Sequence, residues 1–367
     1  MSEFDKLNQE VQDGMEGKNE SIPIGMSRLG RYANWRKRIF TLLFSSTGAG
    51  KSSLADDMML NAAEWCIKNS KHTGRKIKFI LFSMERAKHY RIAKWISRKI
   101  FLDEGISIPI PKLLGWWHEK LTVKEYELFT RYKDYVDMLL DDYIDIYEGA
   151  RTGADIYRIM KEFFEANGKY NTHPDNSYKK IYTPNDPNLI VAPVLDHGNL
   201  IKRTKEYPTK KHAVDFTCEI MQGFRDLEGA SPLWIAQVGR SISNPIRLKD
   251  TEAELTLDDV KESGDMGDAC DIALSLFDPV KYKQGSKTGY NPMDLLDRNT
   301  GAKYFRSIQI CKSSYGEDDL RIPLAFNGFC GQFKELPRRD SLTDTQLYSL
   351  IESVKDKSFF FDEKVSN

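Results

Sequence analysis

The sequence predicts an α/β fold: a mostly parallel sheet flanked by helices, with a short helical arm ahead of it. Three observations lead there. From residue 39 onward, strand-like and helix-like segments alternate, the pattern of a sheet covered by helices. The strand segments, among them IFTLLF, KFILFS and PLWIAQV, are nearly continuous apolar runs, as parallel strands buried on both faces require. The stretch TLLFSSTGAGKSS, residues 41–53, passes from strand to helix through a turn of small residues.

Taken in order, residues 3–16 read as a short helix with Phe4, Leu7, Val11 and Met15 on one stripe. The stripe packs either on its own domain or, as an arm, on a neighbouring subunit. IFTLLF is a strand and KSSLADDMMLNAAEWCIK a largely buried helix, apolar on most sides. KFILFS and AKHYRIAKWISRKIF repeat the pair. Thr122 and Glu125 form a capping box ahead of a helix over about 123–139. IDIYE is a short strand, and GADIYRIMKEFFEA an amphipathic helix ended at Asn167-Gly168. A polar loop rich in Asn, Pro and Tyr runs to about 188. NLIVAPVL is a strand whose Pro193 argues against an ideal central place. A helix around 213–228 leads to the strand PLWIAQV, and DIALSLF, RSIQICK and LRIPLAF are later strands. Residues 280–303 read as an exposed insertion. From Ser341 the chain offers a last capped helix and a polar tail. The domains are therefore an arm over 1–21, the main α/β domain over 22–337, and a C-terminal helix and tail over 338–367.

Composition narrows the function. The chain has 367 residues, 40% hydrophobic and 29% charged, with zero formal net charge, so nucleic-acid binding needs local basic patches. Five scattered cysteines, Cys66, Cys218, Cys270, Cys311 and Cys330, form no C-x-x-C pair, which suggests neither a disulfide framework nor a zinc site. A reducing, intracellular compartment fits. The polar, acidic N-terminus is unlike a signal peptide, and no apolar run approaches a membrane span, so no membrane role is expected.

The turn SSTGAGKSS has the parts of a phosphate-binding loop. Ser46, Thr47, Gly48, Ala49 and Gly50 are small enough for backbone N–H groups to face an anion. A helix N-terminus follows, favouring negative charge. Lys51 supplies a cation for the β/γ-phosphates and Ser52 a hydroxyl for Mg²⁺, and Ser53 is expected to complete the set of nucleotide-binding residues. Ser45 stands where the usual pattern G-x-x-x-x-G-K-[ST] has its first glycine.

Six segments, in order over residues 22–336, resemble the motor domain of DnaB-like replicative helicases, a hexameric branch of the RecA-fold ATPases, in a form associated with bacteriophages. They are SSTGAGKSSLADDMMLNAA, KFILFSMER, NLIVAPVLDHGNLI, LWIAQVGRSIS, DDVKESGDMGDACDIALSLFD and RSIQICKSSYGEDDLRIPLAFNGFCGQFKEL, preceded by the lead-in SIPIGMSRLGRY. The resemblance implies a RecA-like P-loop NTPase core using ATP or another NTP with Mg²⁺. It places the catalytic glutamate on Glu85, the metal-organising carboxylate on Asp196 and the γ-phosphate-sensing glutamine on Gln237. It implies a ring, a hexamer, that translocates on single-stranded DNA, with primase or a loader as a further partner, in the cytoplasm of a bacterial host. The family's closing hairpin carries a lysine and, two residues later, an arginine, both directed at a neighbour's site. Lys312 fits the lysine, but Ser314 occupies the arginine position, and Arg321 and Arg306 are nearby replacements.

Two loops offer phosphate contacts: Lys202, Arg203, Lys205, Lys210 and Lys211 after Asp196, and Lys261 with the amides around Gly264. No aromatic residues interleave with them in an obvious way, so base stacking is not expected. Two other functions use the same core: a recombinase that forms filaments, and a nucleotide-binding assembly protein with weak hydrolysis, to which Ser45 and Ser314 point.

Overall fold

The computed structural model describes residues 2–173, 176–244, 246–249, 253–260 and 264–361. The chain opens with α1 (Glu3–Met15) and α2 (Ser27–Ala33), then β1 (Thr41–Ser45), α3 (Lys51–Thr73), β2 (Lys76–Ser83) and α4 (Lys88–Glu104). Three short helices follow, α5 (Ile110–Leu113), α6 (Val123–Arg131) and α7 (Lys133–Met138), then β3 (Ile144–Glu148) and α8 (Gly153–Ala166). Next come β4 (Gly168–His173), β5 (Asn176–Pro184), β6 (Leu189–Asp196), α9 (Lys210–Glu228) and β7 (Leu233–Gln237). The chain ends with α10 (Gly264–Ala269), β8 (Ile272–Phe277), β9 (Phe305–Ser313), β10 (Leu320–Asn327), β11 (Gln332–Glu335) and α11 (Asp344–Lys355).

Nine strands form one sheet in the order β11-β10-β9-β8-β1-β7-β6-β2-β3. The six from β8 to β3 are parallel, and β9, β10 and β11 are antiparallel. Alternate residues of the buried strands feed two cores. Leu43, Ala192 and Val194 face the side covered by α2, α3 and α4. Leu42, Phe44, Val191 and Leu195 face α8, α9 and α10. A third cluster joins α11 to the antiparallel strands through Phe305, Ile351, Val354 and Phe360.

Several expectations need correction. The predicted helix over 123–139 breaks at Tyr132 into α6 and α7 and runs on as a π-turn to Tyr143. The predicted polar loop before 188 is the hairpin β4–β5, where Tyr170 pairs with Tyr182 across the strands. Its inward aromatics pack on Phe164 and Glu228, so a strongly polar sequence is held by a few tyrosines. Pro193 does sit in a central strand, β6, between β7 and β2. The Ser231 N–H donates to the Val191 carbonyl, so by the alternation of a parallel ladder Pro193 also turns its main chain toward β7. The β6–β7 register begins only at Val194, so the missing donor falls at the mouth of the ladder. Residues 280–303 are not a free insertion: Tyr290, Pro292 and Leu295 are buried. The tail from Ser358 is likewise anchored by Phe360, 1% exposed. β11 and α2 were not legible in the sequence.

The stripe on α1 is uncovered: Phe4, Leu7, Val11 and Met15 are 74, 55, 53 and 84% exposed. The helix is closed at its start by a Ser2–Asp5 capping box.

Candidate nucleotide site

β1 ends at Ser45, and the loop to α3 lies at the carboxyl edge of the parallel strands, where α/β sheets bind ligands. Gly48 and Gly50 have φ of 83° and 107°, conformations that L side chains rarely adopt. A Cβ on Gly50 would also stand 3.1 Å from Phe333 Cζ and 3.2 Å from Phe326 Cζ. Ser45 needs no such freedom. It is the last strand residue, fully buried and without a positive φ, and its Oγ donates to the Ser46 carbonyl at 3.0 Å. Serine in place of the first glycine therefore leaves the loop intact. Arg306 braces it from beneath, Nε donating to the Ala49 carbonyl at 2.7 Å.

The sequence-predicted residues at this edge come together. Ser52 Oγ donates to Asp196 Oδ1 at 2.9 Å, both side chains buried. These two oxygens fit a hard divalent cation, which takes oxygen ligands and completes its shell with water and phosphate. Such an ion would neutralise charge on the transferring phosphoryl group. Lys51 is 8% exposed; burial pushes its ammonium down, while Asp196 and Glu85 pull it back up. Glu85 follows β2, beside β6, with its carboxylate half exposed and 3.6 Å from His197 Nε2. Burial, then the charge of Lys51, push the His197 imidazole below its ordinary range.

Gln237 ends β7 opposite Ser45. Its Nε2 donates to Thr47 Oγ1 at 2.5 Å, and its N–H donates to Asn199 Oδ1 at 2.9 Å. The turn carrying Asn199 is held close because Gly198 lies flat on Trp234; a Cβ there would stand 2.1 Å from the indole. Beyond Gln237, the Gly239 N–H reaches the Asp259 carbonyl at 2.8 Å. A continuous path thus joins the phosphate loop to the segment leading to 261.

Other residues complete the site that sequence reasoning missed. Lys281 Nζ donates to the Thr47 carbonyl at 2.5 Å. Between it and Phe329 lies a cavity of about 510 Å³, lined by Gly48, Lys303, Tyr304 and Phe326. Arg91, on α4, donates to Asp196 Oδ2. The legible signal was the spacing Arg91, Lys94, Arg98 on one helix face, opposite Asp56 and Asp57 of α3. Arg98 pairs with Asp57 at 2.7 Å and Lys94 donates to Ser53 Oγ.

Lys94 gives a pH test. Burial pushes its ammonium from 10.5 down to about 8, against the pull of Asp56. Below pH 8 it is protonated in folded and unfolded chains alike. Between about 8 and 10.5 the folded chain has lost a proton that the unfolded chain keeps, so stability rises with pH there. Replacing Lys94 with Met should erase that rise. Across the window, urea titrations should shift in favour of wild type over Lys94→Met by up to about 3 kcal/mol. A pH-independent difference would mean that Lys94 is not buried as a charge.

The remaining expected site residues lie elsewhere. β9 runs antiparallel, and Lys312 pairs with Ala273 near the start of β8. It is thus at the sheet edge opposite the phosphate loop, roughly 15 Å away by strand length. Its Nζ caps the end of α10, donating to the Gly267 and Asp268 carbonyls at 2.8 and 3.1 Å. Ser314 is exposed in the β9–β10 turn. Neither suggested replacement arginine is free: Arg306 is 4% exposed under the phosphate loop, and Arg321 pairs with Glu254 at 2.7 Å and Asp319 at 3.0 Å. A further guanidinium near this turn is Arg36, 5.5 Å from the Tyr315 ring centroid. Lys202, Arg203, Lys205 and Lys211 are exposed around the loop after β6. Lys210 instead turns inward, its Nζ donating to the Ile201 carbonyl at 2.7 Å. Gly264 begins α10, and Lys261 lies outside the described residues.

No protein-family model matches the chain, and no curated protein matches it in sequence. Among solved structures it is similar to the ATPase domain of a protein from phage SPP1, with a TM-score of 0.66 and 16% identity, over 92% of this chain and 100% of that one. It is also similar to a DnaB-like replicative helicase described with its interactions with primase, with a TM-score of 0.64 and 15% identity, over 92% of this chain and 67% of that one. The fold is that of a RecA-like ATPase domain. At this identity the likeness is one of architecture, and the activity has to be argued from the residues. Among the described residues, no helix is long and apolar enough to cross a membrane.

Proposed function

We propose that this chain is the motor of an ATP-dependent, ring-forming DNA helicase, binding MgATP at the phosphate loop and translocating on single-stranded DNA. The observation that carries the reading is the joint placement of Ser52, Asp196, Glu85 and Gln237 around one phosphate loop at one sheet edge. Lys51 and the loop amides hold the phosphates. Ser52 and Asp196 hold Mg²⁺, Glu85 takes a proton from the attacking water, and Gln237 reports the γ-phosphate state toward 253–260.

Lys312 is too far from its own phosphate loop to act there, so on this reading it serves the nucleotide of an adjacent copy. On this reading Arg36, which follows α2 and lies over Tyr315 of the β9–β10 turn, supplies the guanidinium that Ser314 lacks. The uncovered α1 stripe fits an arm docked on that neighbour, in a hexamer. The exposed cations Lys202, Arg203, Lys205 and Lys211 supply sequence-independent phosphate contacts, and primase or a loader is a further partner. One observation favours a second reading, an assembly protein with weak hydrolysis: Arg306 and Arg321 are both committed within the fold.

Steady-state ATP hydrolysis with and without single-stranded DNA, at concentrations that allow ring formation, separates the two. Strong stimulation by DNA is expected of the motor. Intact nucleotide binding with no turnover would discard the motor reading in favour of assembly.

A further inference from the structure

Arg91 is a buried cation placed on the carboxylate that the preceding reading gives to the metal. It lies in the first turn of α4, six residues after Glu85. Its side chain is 1% exposed, Nη2 donates to Asp196 Oδ2, and Nη1 stands 3.2 Å from Asp56 Oδ1. Among the described residues neither Nε nor Nη1 makes a hydrogen bond, so the link to Asp56 is an ion pair only. Both Asp196 oxygens therefore accept a bond, Oδ2 from Arg91 and Oδ1 from the Ser52 hydroxyl.

The electrostatics follow from this arrangement. Two buried carboxylates, Asp56 and Asp196, share one guanidinium, and Lys94 adds a second cation beside Asp56. The cluster is balanced as it stands. A bare divalent cation arriving at Asp196 meets a fixed positive charge on the same carboxylate, in a buried setting where repulsion is weakly screened. It brings no anion to offset that repulsion. Nucleotide phosphates do, and they also supply oxygen ligands. We infer that Arg91 is a positioning residue that withholds Asp196 from a bare divalent cation, so that the cation enters only together with nucleotide phosphates. The inference rests on the reading of Asp196 as the metal-organising carboxylate.

The test is Mn²⁺ binding followed by electron paramagnetic resonance, with and without ADP, so turnover plays no part. Wild type is expected to bind Mn²⁺ tightly only with ADP. Arg91→Met is expected to bind it without nucleotide, tighter than wild type by roughly 10–100-fold. Arg91→Lys keeps the charge and should keep the dependence on ADP. If Arg91→Met does not fold, the double variant Arg91→Met, Asp56→Asn removes one charge of each sign and is expected to show the same gain. Nucleotide-free Mn²⁺ affinity equal to wild type in the folded variant overturns the inference and leaves the site reading standing. Absence of any Mn²⁺ site in wild type with ADP overturns both.

Discussion

Glu85→Gln is expected to lower ATP turnover by roughly 10²–10⁴-fold, the usual worth of a general base, while nucleotide affinity stays unchanged. The reason lies in its surroundings. Among the described contacts Glu85 makes no hydrogen bond to Lys51 or the loop amides, acting on Lys51 only through its charge; its ion-pair contact is His197, at 3.6 Å. It stands at the end of the strand next to β6, so its carboxylate can face a water beside the phosphate held by Lys51 and Ser52. Amide replacement keeps the shape and removes the proton acceptor. Phosphate release under saturating ATP measures turnover, and equilibrium binding of a fluorescent nucleotide measures affinity. Retained turnover would remove Glu85 from the chemistry. Loss of binding along with turnover would make it a structural support of the loop.

The second large effect is on stability. Arg98→Met is expected to cost about 3–5 kcal/mol, because it strands a buried carboxylate. Asp57 is fully buried on α3, and its Oδ1 pairs with Arg98 at 2.7 Å. Its Oδ2 accepts the Phe333 N–H of β11 at 3.1 Å. Phe333 stacks on Phe326 with ring centroids 4.4 Å apart, and both rings close over Gly50. One carboxylate therefore ties α3, α4 and β11 together behind the phosphate loop. The double variant Arg98→Met, Asp57→Leu removes both charges and should recover most of the loss. It should fall short by about 1–3 kcal/mol for the unanswered Phe333 N–H. Urea midpoints at constant m-value give both numbers. A single-variant loss below about 1 kcal/mol, the scale of an exposed ion pair, would mean that the pair is not buried in solution.

Much of the fold was legible because burial writes itself into local pattern. The strands β1, β2, β6 and β7 are apolar runs, and α8 repeats its inward residues at helical spacing. The candidate phosphate loop was legible for a different reason: phosphate binding needs small residues, a lysine and a hydroxyl in sequence, and this turn has them. The hairpin β4–β5 was not legible, since its strands are polar and are held by tyrosines meeting Phe164 and Glu228 from elsewhere. Pro193 misled because the rule against proline in central strands depends on where the ladder begins, which the neighbour β7 decides. The same holds for the arginines. Sequence placed Arg306 and Arg321 near the missing arginine at 314, but only packing showed them committed to Ala49 and Glu254.

By itself, the sequence determined the α/β class and the small-residue turn that reads as a phosphate loop, both of which follow from periodicity and residue chemistry within a few residues. Glu85, Asp196 and Gln237 were singled out by the family resemblance of the segments that carry them. The tertiary structure alone decided that Arg91 shares Asp196 with Ser52, that Lys281 reaches Thr47 from a segment over 230 residues away, and that Lys312 faces the opposite edge of the sheet. Each depends on strand order and direction, which bring distant charges within hydrogen-bond reach or hold them apart, and no local pattern encodes that distance.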